Sequence, residues 1–432
     1  MSNKPCIPDN DKKKKDYSAL VAGITLTIVL CLAVLIAFVP GFVYGEPPSA
    51  DTETTSSDTV FTTETTHESS RIFCSEETSD KETALQTSAE TTSQIPPVVP
   101  VLDVSMENPN AVLVKEAVRR YMELDMTNPQ NAKEVPENFR EAPYRIDTEE
   151  TVSLNFSVTD ATAICYEVIW SKDPLFKNAV IEMIPGSRAT YRFSHLFADT
   201  TYYYQVTAYT SAGTAISKKG SFKTADMPRI LSIDGIYNVR DIGNKNTSYG
   251  KKVKQGLLYR GTELDGSVEK SYHITNKGLA DMLFNLGIKT DMDLRAETSV
   301  SKDALGTRIN HYYYDMFLYN AIFTENGKKR VLAVFSDLAN RENYPIYMHC
   351  TYGCDRTGTV CYLLLAFLGV SEDDCLKDYG LSNMQIKNIM LVRNSLEAYA
   401  GDDLKAKVTE YLLSCGITFE QLEEIKSIFL GD

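Results

Sequence analysis

The sequence HCTYGCDRTG, residues 349–358, decides the fold of the region around it. The apolar run YPIYM at residues 344–348 precedes it and is typical of a buried strand. The largely apolar segment 357–368 follows it and is long enough for a helix, with Gly369 as a stop signal. We therefore predict a strand, a tight loop and a helix N-terminus. The backbone N–H groups and the helix dipole of such a unit favour an anion.

Two side chains of this loop predict its chemistry. Cys350 begins the loop, where the helix N-terminus favours the thiolate over the thiol. Arg356 offers a planar guanidinium that matches two phosphate oxygens. A thiolate beside a phosphate cradle can attack phosphorus and form a phosphocysteine. The plain alternative, a buried structural cysteine beside a surface arginine, is disfavoured by the strand–loop–helix context.

The loop resembles the active-site loop of the cysteine-dependent protein tyrosine phosphatases, because its His, Cys, Gly, Arg, Thr and Gly fall at that family's spacing. Five other segments are similar to markers of the PtpB-like family of bacterial tyrosine/serine phosphatases: residues 238–243, 256–261, 286–295, 378–382 and 416–418. The resemblance covers residues 228–432 and implies an α/β phosphatase domain that acts on phosphorylated protein substrates. It implies no cofactor and no metal ion, because the thiolate, the arginine and the loop amides do what a metal would otherwise do.

The resemblance also assigns roles within the loop. Cys350 is the nucleophile, Arg356 holds the phosphoryl oxygens, and His349 orders the loop and helps to keep the thiolate. Thr357 is suited to donate a hydrogen bond to the departing sulfur, with a helix N-cap as its plain alternative. The phosphate-binding loop comprises Thr351, Tyr352, Gly353, Cys354, Thr357 and Gly358.

Cys354 is a departure from the family, which usually has a lysine at this position. The change removes a cation that would suit polyphosphate head groups. Cys354 either lines the substrate mouth or traps an oxidised Cys350 as a disulfide, which protects it from further oxidation.

Two carboxylates are candidates for the proton donor to the leaving group. Asp355 lies inside the loop and is the preferred one. Asp293 ends a predicted strand and could reach the cleft from beside it, but could instead form a structural pair with Arg295. Arg240 and Asp241 are expected to support the structure of the site.

Composition excludes one class of partner. The chain has 432 residues and a net charge of −14, from 58 acidic and 44 basic residues. A nucleic-acid-binding protein would need a basic face, so no nucleic-acid partner is expected. The nine cysteines show no zinc spacing such as paired C-x-x-C.

The N-terminus predicts a membrane connection. Residues 1–17 contain the cluster Lys12 to Lys15, and residues 18–45 contain no charged side chain, where about 20 apolar residues span a bilayer. The positive-inside rule places residues 1–17 in the cytoplasm and the remainder outside. Residues 18–45 are either an uncleaved transmembrane anchor, the preferred interpretation, or a signal peptide whose removal would release a secreted protein.

Composition and periodicity divide the middle of the chain into three segments. Residues 46–100 are rich in Thr, Ser, Glu and Pro and are predicted to be a disordered linker. Residues 101–145 contain a short helix over about 110–124, of uncertain role. Residues 146–226 alternate between apolar and polar, as in 151–158, 165–170 and 202–208, and predict an all-β sandwich that resembles a fibronectin type III module. Trp170 is interpreted as core, and the module as a spacer or as a binder of a surface ligand.

The fold class is therefore multidomain, with a β-sandwich before an α/β cysteine-phosphatase domain. Three functions remain open. The first is a cell-surface phosphatase acting on phosphotyrosine, with phosphoserine and phosphothreonine as further substrates. The second is a phosphatase of phosphoinositides or other phosphomonoesters. The third is an inactive phosphatase-like surface binding protein, against which the intact Cys350, Asp355 and Arg356 argue.

Overall fold

A computed structural model describes residues 99–138, 149–213, 215–295, 304–382 and 385–431. The predicted cytoplasmic, membrane and linker segments therefore lie outside the described residues, apart from 99 and 100. Among the residues that are described, no helix has the length and apolar character needed to cross a membrane.

The N-terminal part of the described chain is an antiparallel module of two sheets. Its strands are β1 (Val101–Glu107), β2 (Ser153–Thr159), β3 (Ala163–Ser171), β4 (Val180–Pro185), β5 (Thr190–Arg192), β6 (Thr201–Thr210) and β7 (Ala215–Lys223). One sheet has the order β1-β2-β5 and the other the order β4-β3-β6-β7, and all pairs are antiparallel. The alternating segments 151–158, 165–170 and 202–208 do form strands, because every second side chain enters a shared core.

The core of this module is largely aromatic. Phe193 packs edge-on against Trp170 and Tyr191, with ring centroids 5.5 Å and 5.0 Å apart. The indole N–H of Trp170 donates to the Tyr191 hydroxyl at 2.7 Å. Trp170 is partly buried against the core, as its interpretation as a core residue requires.

Residues 101–145 differ from their expected description. Residues 101–107 form strand β1, which pairs with β2 along its full length, so the antiparallel module begins before residue 146. Two helices follow, α1 (Glu116–Met122) and α2 (Pro129–Asn138). Tyr121 and Met126 are buried in the core of the C-terminal part of the chain. This segment therefore contributes to both parts.

The C-terminal part is built on a five-stranded sheet. The strands are β8 (Arg240–Asp241), β9 (Leu258–Gly261), β10 (Thr290–Asp293), β11 (Asn310–Tyr313) and β12 (Ile346–His349), in the order β11-β10-β12-β9-β8. All neighbours are parallel except β8 and β9. The predicted α/β class of this region is confirmed.

The helices of this part are α3 (Asn276–Ala280), α4 (Glu325–Leu338), α5 (Asp355–Phe367), α6 (Glu372–Gly380), α7 (Ile389–Leu396), α8 (Leu404–Ser414) and α9 (Phe419–Leu430). Short turns of other helix types cover Asp281–Asn285, Tyr319–Phe323 and Arg341–Asn343. Among the described residues, five helices begin at or after Asp355. One of them, α6, is short, and Ser371 caps it by accepting the N–H of Asp374 at 3.1 Å.

Helix α5 lies at the centre of the largest apolar cluster. All its side chains from Thr357 to Phe367 are buried, which explains why its sequence is apolar on every face. A helix held on all sides fixes the position of its own N-terminus. The loop at 350–354 is therefore attached to one of the most constrained elements of the fold.

Candidate active site

The candidate site lies where three parallel strands end at one edge of the sheet. Gly261 of β9, Asp293 of β10 and His349 of β12 are in register. Cys350 follows His349 directly, is 3% exposed, and begins a loop that ends where α5 starts at Asp355. The strand–loop–helix unit predicted from residues 344–368 is present, and the carboxyl ends of parallel strands are where α/β proteins commonly place ligands.

Every carbonyl group of residues 350–354 accepts a hydrogen bond from a partner around the loop. The donors are His349 Nδ1 to Cys350 O at 3.3 Å, Glu263 N to Thr351 O at 3.0 Å, Asn238 Nδ2 to Tyr352 O at 3.0 Å, Arg260 Nη2 to Gly353 O at 2.7 Å and Gly358 N to Cys354 O at 2.9 Å. Among the described residues, no backbone acceptor is paired with the N–H groups of residues 351–355. Because the carbonyl groups are already bonded and these N–H groups have no backbone acceptor, the loop is suited to bind an anion. We call residues 350–355 the anion cradle.

Gly353 is required for this loop path. Its φ is +67°, in the left-handed region, and a Cβ atom there would lie 2.3 Å from the carbonyl oxygen of Gly261. Any other side chain would therefore push the loop away from the end of β9.

A buried cluster of charged side chains contacts the loop through Arg260. Arg260 is 0% exposed, and while its Nη2 holds Gly353, its Nη1 pairs with Asp378 Oδ2 at 2.7 Å. Lys245 Nζ and Arg240 Nε lie 3.0 Å and 3.8 Å from Asp378 Oδ1. Burial alone would raise the pKa of Asp378, but the three cations hold it well below its usual range. Three cations against one carboxylate leave positive charge next to the anion cradle.

Arg356 is half-buried on the first turn of α5, and its Nη1 donates to the carbonyl oxygen of Leu294 at 3.4 Å. Leu294 follows strand β10, so the guanidinium lies across the edge of the sheet that carries Cys350.

His349 is held as a cation. Its Nε2 lies 3.0 Å from Asp291 Oδ1, and Asp291 Oδ2 lies 3.0 Å from Nδ1 of His311. Burial alone would lower the pKa of His349, but Asp291 and Asp293 raise it to about 9. Burial alone would raise the pKa of Asp291, but His349 and His311 lower it to about 2. The imidazolium directly precedes Cys350 in the chain, and the ordering role of His349 stays a prediction.

Asp293 is not placed as a proton donor. It is 0% exposed, Oδ1 accepts from Arg295 Nε at 2.9 Å, and Oδ2 accepts from Arg295 Nη2 at 2.6 Å. Arg295 also pairs with Glu263 at 2.6 Å and Asp265 at 2.8 Å. Asp293 thus belongs to a buried ion cluster, which is the structural alternative that the sequence left open.

Asp355 is half-buried at the start of α5 and hydrogen-bonded by neutral groups. Its Oδ1 accepts from the Tyr319 hydroxyl and, at 3.1 Å, from the Tyr379 hydroxyl. Of the two predicted acids, Asp355 is the one brought to the loop without a cationic partner on both oxygens, and its role stays a prediction.

The remaining loop residues have distinct surroundings. The hydroxyls of Thr351 and Thr357 are buried, and within the described residues neither has a hydrogen-bond partner. Tyr352 is 49% exposed at the mouth of the loop. Cys354 Sγ donates to the Tyr352 carbonyl oxygen at 3.3 Å, and burial together with Cys350 raises the pKa of Cys354 to about 11. Thr357 could therefore donate to sulfur, whereas Cys354 is a neutral thiol at pH 7.

Arg240 and Asp241 do not pair with each other. Arg240 contacts Asp378, and its Nη1 donates to Asn238 Oδ1 at 2.5 Å, which orients the amide that holds Tyr352. Asp241 pairs with Arg229 at 2.9 Å and accepts the N–H of Gly256 at 2.6 Å. Arg240 therefore supports the loop, and Asp241 connects the strands behind it.

The structure adds site residues that were not singled out. Arg260, Asp291 and Asp378 lay inside quoted family segments, so a signal existed. Tyr319, Tyr379 and Asn388 were not assigned to the site. Among the described residues, no group of three or more His, Cys, Asp and Glu side chains is arranged to hold a metal ion.

Comparison with known proteins bears on the family. Residues 231–430 match the family model described as "Tyrosine phosphatase family". A protein of Cupriavidus necator named "Putative tyrosine-protein phosphatase" is 29% identical over 198 residues, which are 40% of this chain and 68% of the relative. These findings support a cysteine phosphatase family. They do not distinguish PtpB-like proteins within it, and they do not cover the antiparallel module.

Two solved structures are also similar over part of the chain. The core catalytic domain of the PP-IP phosphatase SIW14 from S. cerevisiae, in complex with citrate, is 19% identical and covers 36% of this chain and 89% of its own, with a TM-score of 0.26. A second structure of the Siw14 catalytic core is 18% identical and covers 36% and 88%, with the same TM-score of 0.26. Likeness at this level carries no argument about function.

Proposed function

We propose that the protein hydrolyses phosphate monoesters through a phosphocysteine on Cys350, and that its substrates are phosphotyrosine residues of proteins. The observation that carries the proposal is the loop itself. All five carbonyls of residues 350–354 accept hydrogen bonds, the N–H groups of residues 351–355 have no backbone acceptor among the described residues, and Cys350 lies in the chain between the buried imidazolium of His349 and Arg356. Such a cradle suits a trigonal array of phosphoryl oxygens and the charge that develops on them.

In the first step the Cys350 thiolate attacks phosphorus. The S–P bond forms while the bond from phosphorus to the ester oxygen breaks, and Asp355 gives its proton to that oxygen. In the second step Asp355 takes a proton from a water molecule that attacks the phosphocysteine. The P–S bond breaks, inorganic phosphate leaves, and the Thr357 hydroxyl donates a hydrogen bond to the departing sulfur.

Three tyrosines beside the loop support an aromatic substrate. Tyr352 packs edge-on against Tyr272, with centroids 5.9 Å apart, and Tyr272 packs against Tyr237 at 5.5 Å. We call Tyr237, Tyr272 and Tyr352 the aromatic rim; Tyr237 and Tyr352 are exposed. An exposed aromatic surface at the mouth suits a phenyl phosphate. The neutral Cys354 adds no cation for a polyphosphate head group, so phosphoinositides are less well matched.

A substrate panel tests this proposal. Peptides carrying phosphotyrosine, phosphoserine or phosphothreonine, vesicles carrying phosphoinositides, and an aryl phosphate are compared with wild type, Cys350→Ser and Arg356→Ala. We expect Cys350→Ser to lose turnover but to bind phosphotyrosine peptide, because the cradle survives, and Arg356→Ala to lose both. Cys165→Ser, on strand β3 of the antiparallel module, is the matched control and should keep full activity.

The outcomes separate the three functions. Normal turnover by Cys350→Ser would refute the phosphocysteine. If wild type hydrolyses phosphoinositides but not phosphotyrosine peptides, the substrates are phosphoinositides and not phosphotyrosine proteins. Binding of phosphopeptides without turnover of any substrate would identify a binding protein with an inactive phosphatase-like domain.

We further propose that the catalytic part lies at the cell surface, tethered by residues 18–45. The support is the lysine cluster Lys12 to Lys15 before an uncharged run, followed by a Thr/Ser-rich linker. Protease added to intact cells should cut this linker and release active enzyme. Complete protection of the catalytic part would reverse the orientation, and activity found in the medium without protease would indicate a cleaved signal peptide.

We also propose that the antiparallel module is of the fibronectin type III kind. The support is its division into a three-stranded and a four-stranded sheet around one core. In this proposal the module is a spacer between membrane and catalytic part, or binds a surface ligand.

A further inference from the structure

One oxygen of the Asp355 carboxyl group is held by two phenols. The hydroxyls of Tyr319 and Tyr379 both donate to Oδ1, the second at 3.1 Å. Among the described residues, Oδ2 has no hydrogen-bond partner. The two oxygens of this carboxyl group are therefore in different environments.

The direction of the hydrogen bond between Tyr319 and Asp355 is fixed by Asn388. Its Nδ2 donates to the Tyr319 hydroxyl oxygen at 2.8 Å. An amide nitrogen only donates, so the phenol oxygen is the acceptor there and its own proton is left for Asp355. Burial, then the hydrogen bond with Asp355, raise the pKa of Tyr319 well above its ordinary value, so the phenol keeps that proton. Burial and the charge of Asp355 raise the pKa of Tyr379 likewise.

This arrangement requires a strained backbone conformation at Tyr319. Tyr319 has a φ of +45°, in the left-handed region, where a bulky residue costs about 1–2 kcal/mol. Tyr379 lies so close to α5 that a Cβ atom on Gly358 would be 2.7 Å from its ring. The glycine of the RTG sequence thus makes room for the ring whose hydroxyl reaches Asp355. A left-handed backbone conformation therefore places Tyr319, and a glycine at position 358 leaves space for Tyr379.

We infer that Tyr319 and Tyr379 are positioning residues that confine the catalytic proton of Asp355 to Oδ2. A protonated carboxyl group has one carbonyl oxygen, which accepts, and one hydroxyl oxygen, which donates. Two O–H donors occupy Oδ1, so Oδ1 is the carbonyl oxygen and Oδ2 carries the proton. This inference rests on the proposed function, in which Asp355 is the proton donor.

The positioning acts in both chemical steps. As the bond from phosphorus to the ester oxygen breaks, the proton on Oδ2 moves to that oxygen. The resulting carboxylate keeps its two phenol donors, which stabilise its charge. In the second step the same Oδ2 receives a proton from the attacking water, and the P–S bond breaks. No oxidant, reductant or further reactant is needed.

The test uses the full chain with Tyr319→Phe, Tyr379→Phe and the double variant, together with Asp355→Asn. Tyr362→Phe is the matched control, because Tyr362 lies on the same helix as Asp355 and its hydroxyl has no hydrogen-bond partner among the described residues. The ratio kcat/KM, which includes only the steps up to formation of the phosphocysteine, is measured for phenyl phosphate, a poor leaving group, and for dinitrophenyl phosphate, which needs no protonation. Circular dichroism confirms that each variant is folded, and the single variants remain informative if the double one is not.

We expect the double variant to lose kcat/KM for phenyl phosphate by about 10- to 100-fold, part of the full value of general acid catalysis. For dinitrophenyl phosphate the loss of kcat/KM should be under about threefold, because this leaving group needs no proton and the cradle is intact. Tyr362→Phe should match wild type.

Equal losses of kcat/KM for the two leaving groups would overturn the inference while leaving the proposed function in place, provided that Asp355→Asn discriminates between the leaving groups. If Asp355→Asn does not discriminate either, Asp355 is not the acid, and the inference fails together with that part of the proposed function. If the wild-type protein turns over neither substrate, both the inference and the proposed function are wrong.

Discussion

His349 gives the sharpest physical prediction, because its charge is buried and its partners are known. It is 1% exposed, its Nε2 lies 3.0 Å from Asp291, and its Nδ1 donates to the carbonyl oxygen of Cys350 at 3.3 Å. The perturbation is His349→Gln, which removes the cation but keeps a side chain that can donate a hydrogen bond. The free energy of unfolding of wild type and variant is then compared as a function of pH.

The magnitude follows from the pKa. Asp291 and Asp293 overcome the effect of burial and raise the pKa of His349 from 6.5 to about 9. A raised pKa means that the folded state binds the proton more tightly, so the stabilisation is complete below the unfolded pKa and is lost as pH rises through 9. At about 1.4 kcal/mol per pKa unit, the full effect is about 3 kcal/mol, of which about 2 kcal/mol is lost between pH ~7 and ~9.

Chemical denaturation at closely spaced pH values and constant ionic strength is the assay. Circular dichroism is the suitable signal, because the lone Trp170 lies in the antiparallel module and its fluorescence would report on that module. Glu149, whose pKa burial raises to about 7, titrates at the lower edge of the window, but it is common to both proteins. The difference between the two curves therefore isolates His349.

A wild-type curve that is flat over this interval would refute the reasoning, because it would mean that His349 is not a cation in the folded protein at pH 7. So would a variant whose free energy of unfolding falls with pH as steeply as that of wild type. In either case the positive charge at the site would have to come from Arg356 and from the cluster of Arg240, Lys245 and Arg260, without His349.

Two further predictions follow from single side chains. Tyr362 is 1% exposed and, among the described residues, its hydroxyl has no hydrogen-bond partner. Tyr362→Phe should therefore raise the free energy of unfolding, measured by chemical denaturation, by about 1 kcal/mol. A lower free energy of unfolding in the variant would show that the hydroxyl is hydrogen-bonded. Cys354 has a pKa raised to about 11, so only about one thiol in 10⁴ is ionised at pH ~7, and it is a poor trap for an oxidised Cys350. Activity after peroxide and then thiol reductant should recover equally in wild type and Cys354→Ser, and irreversible loss only in the variant would restore the disulfide trap.

What could be predicted from the sequence was local in the chain. Cys350, Arg356 and the N-terminus of α5 lie within one decapeptide, so their spacing alone indicated a strand, a loop and a helix. The alternating segments of the antiparallel module were predicted for the same reason, since strand periodicity is a property of neighbours. Strand β1 was missed because its partner β2 is far along the chain.

The support of the loop could not be predicted, because each carbonyl is held by a different part of the chain. Asn238, Arg260 and Glu263 stood in or beside recognised segments, but no pattern assigns a donor to a carbonyl. Tyr319 is a further case, because a tyrosine gives no signal that its backbone will adopt a φ of +45°. Tertiary contacts impose that conformation, and only the structure shows it.

The choice between the two acids shows what the structure adds to the sequence. Asp293 ends strand β10 and Asp355 starts helix α5 after strand β12, at the same edge of the sheet, so the sequence favoured Asp355 but left both open. Their partners in the structure differ. Both oxygens of Asp293 accept from the guanidinium of Arg295, which holds this carboxylate in a buried ion cluster. Among the described residues, Asp355 accepts only from neutral phenols, and only on Oδ1. Because its Oδ2 is left to carry a proton, we propose Asp355 rather than Asp293 as the proton donor.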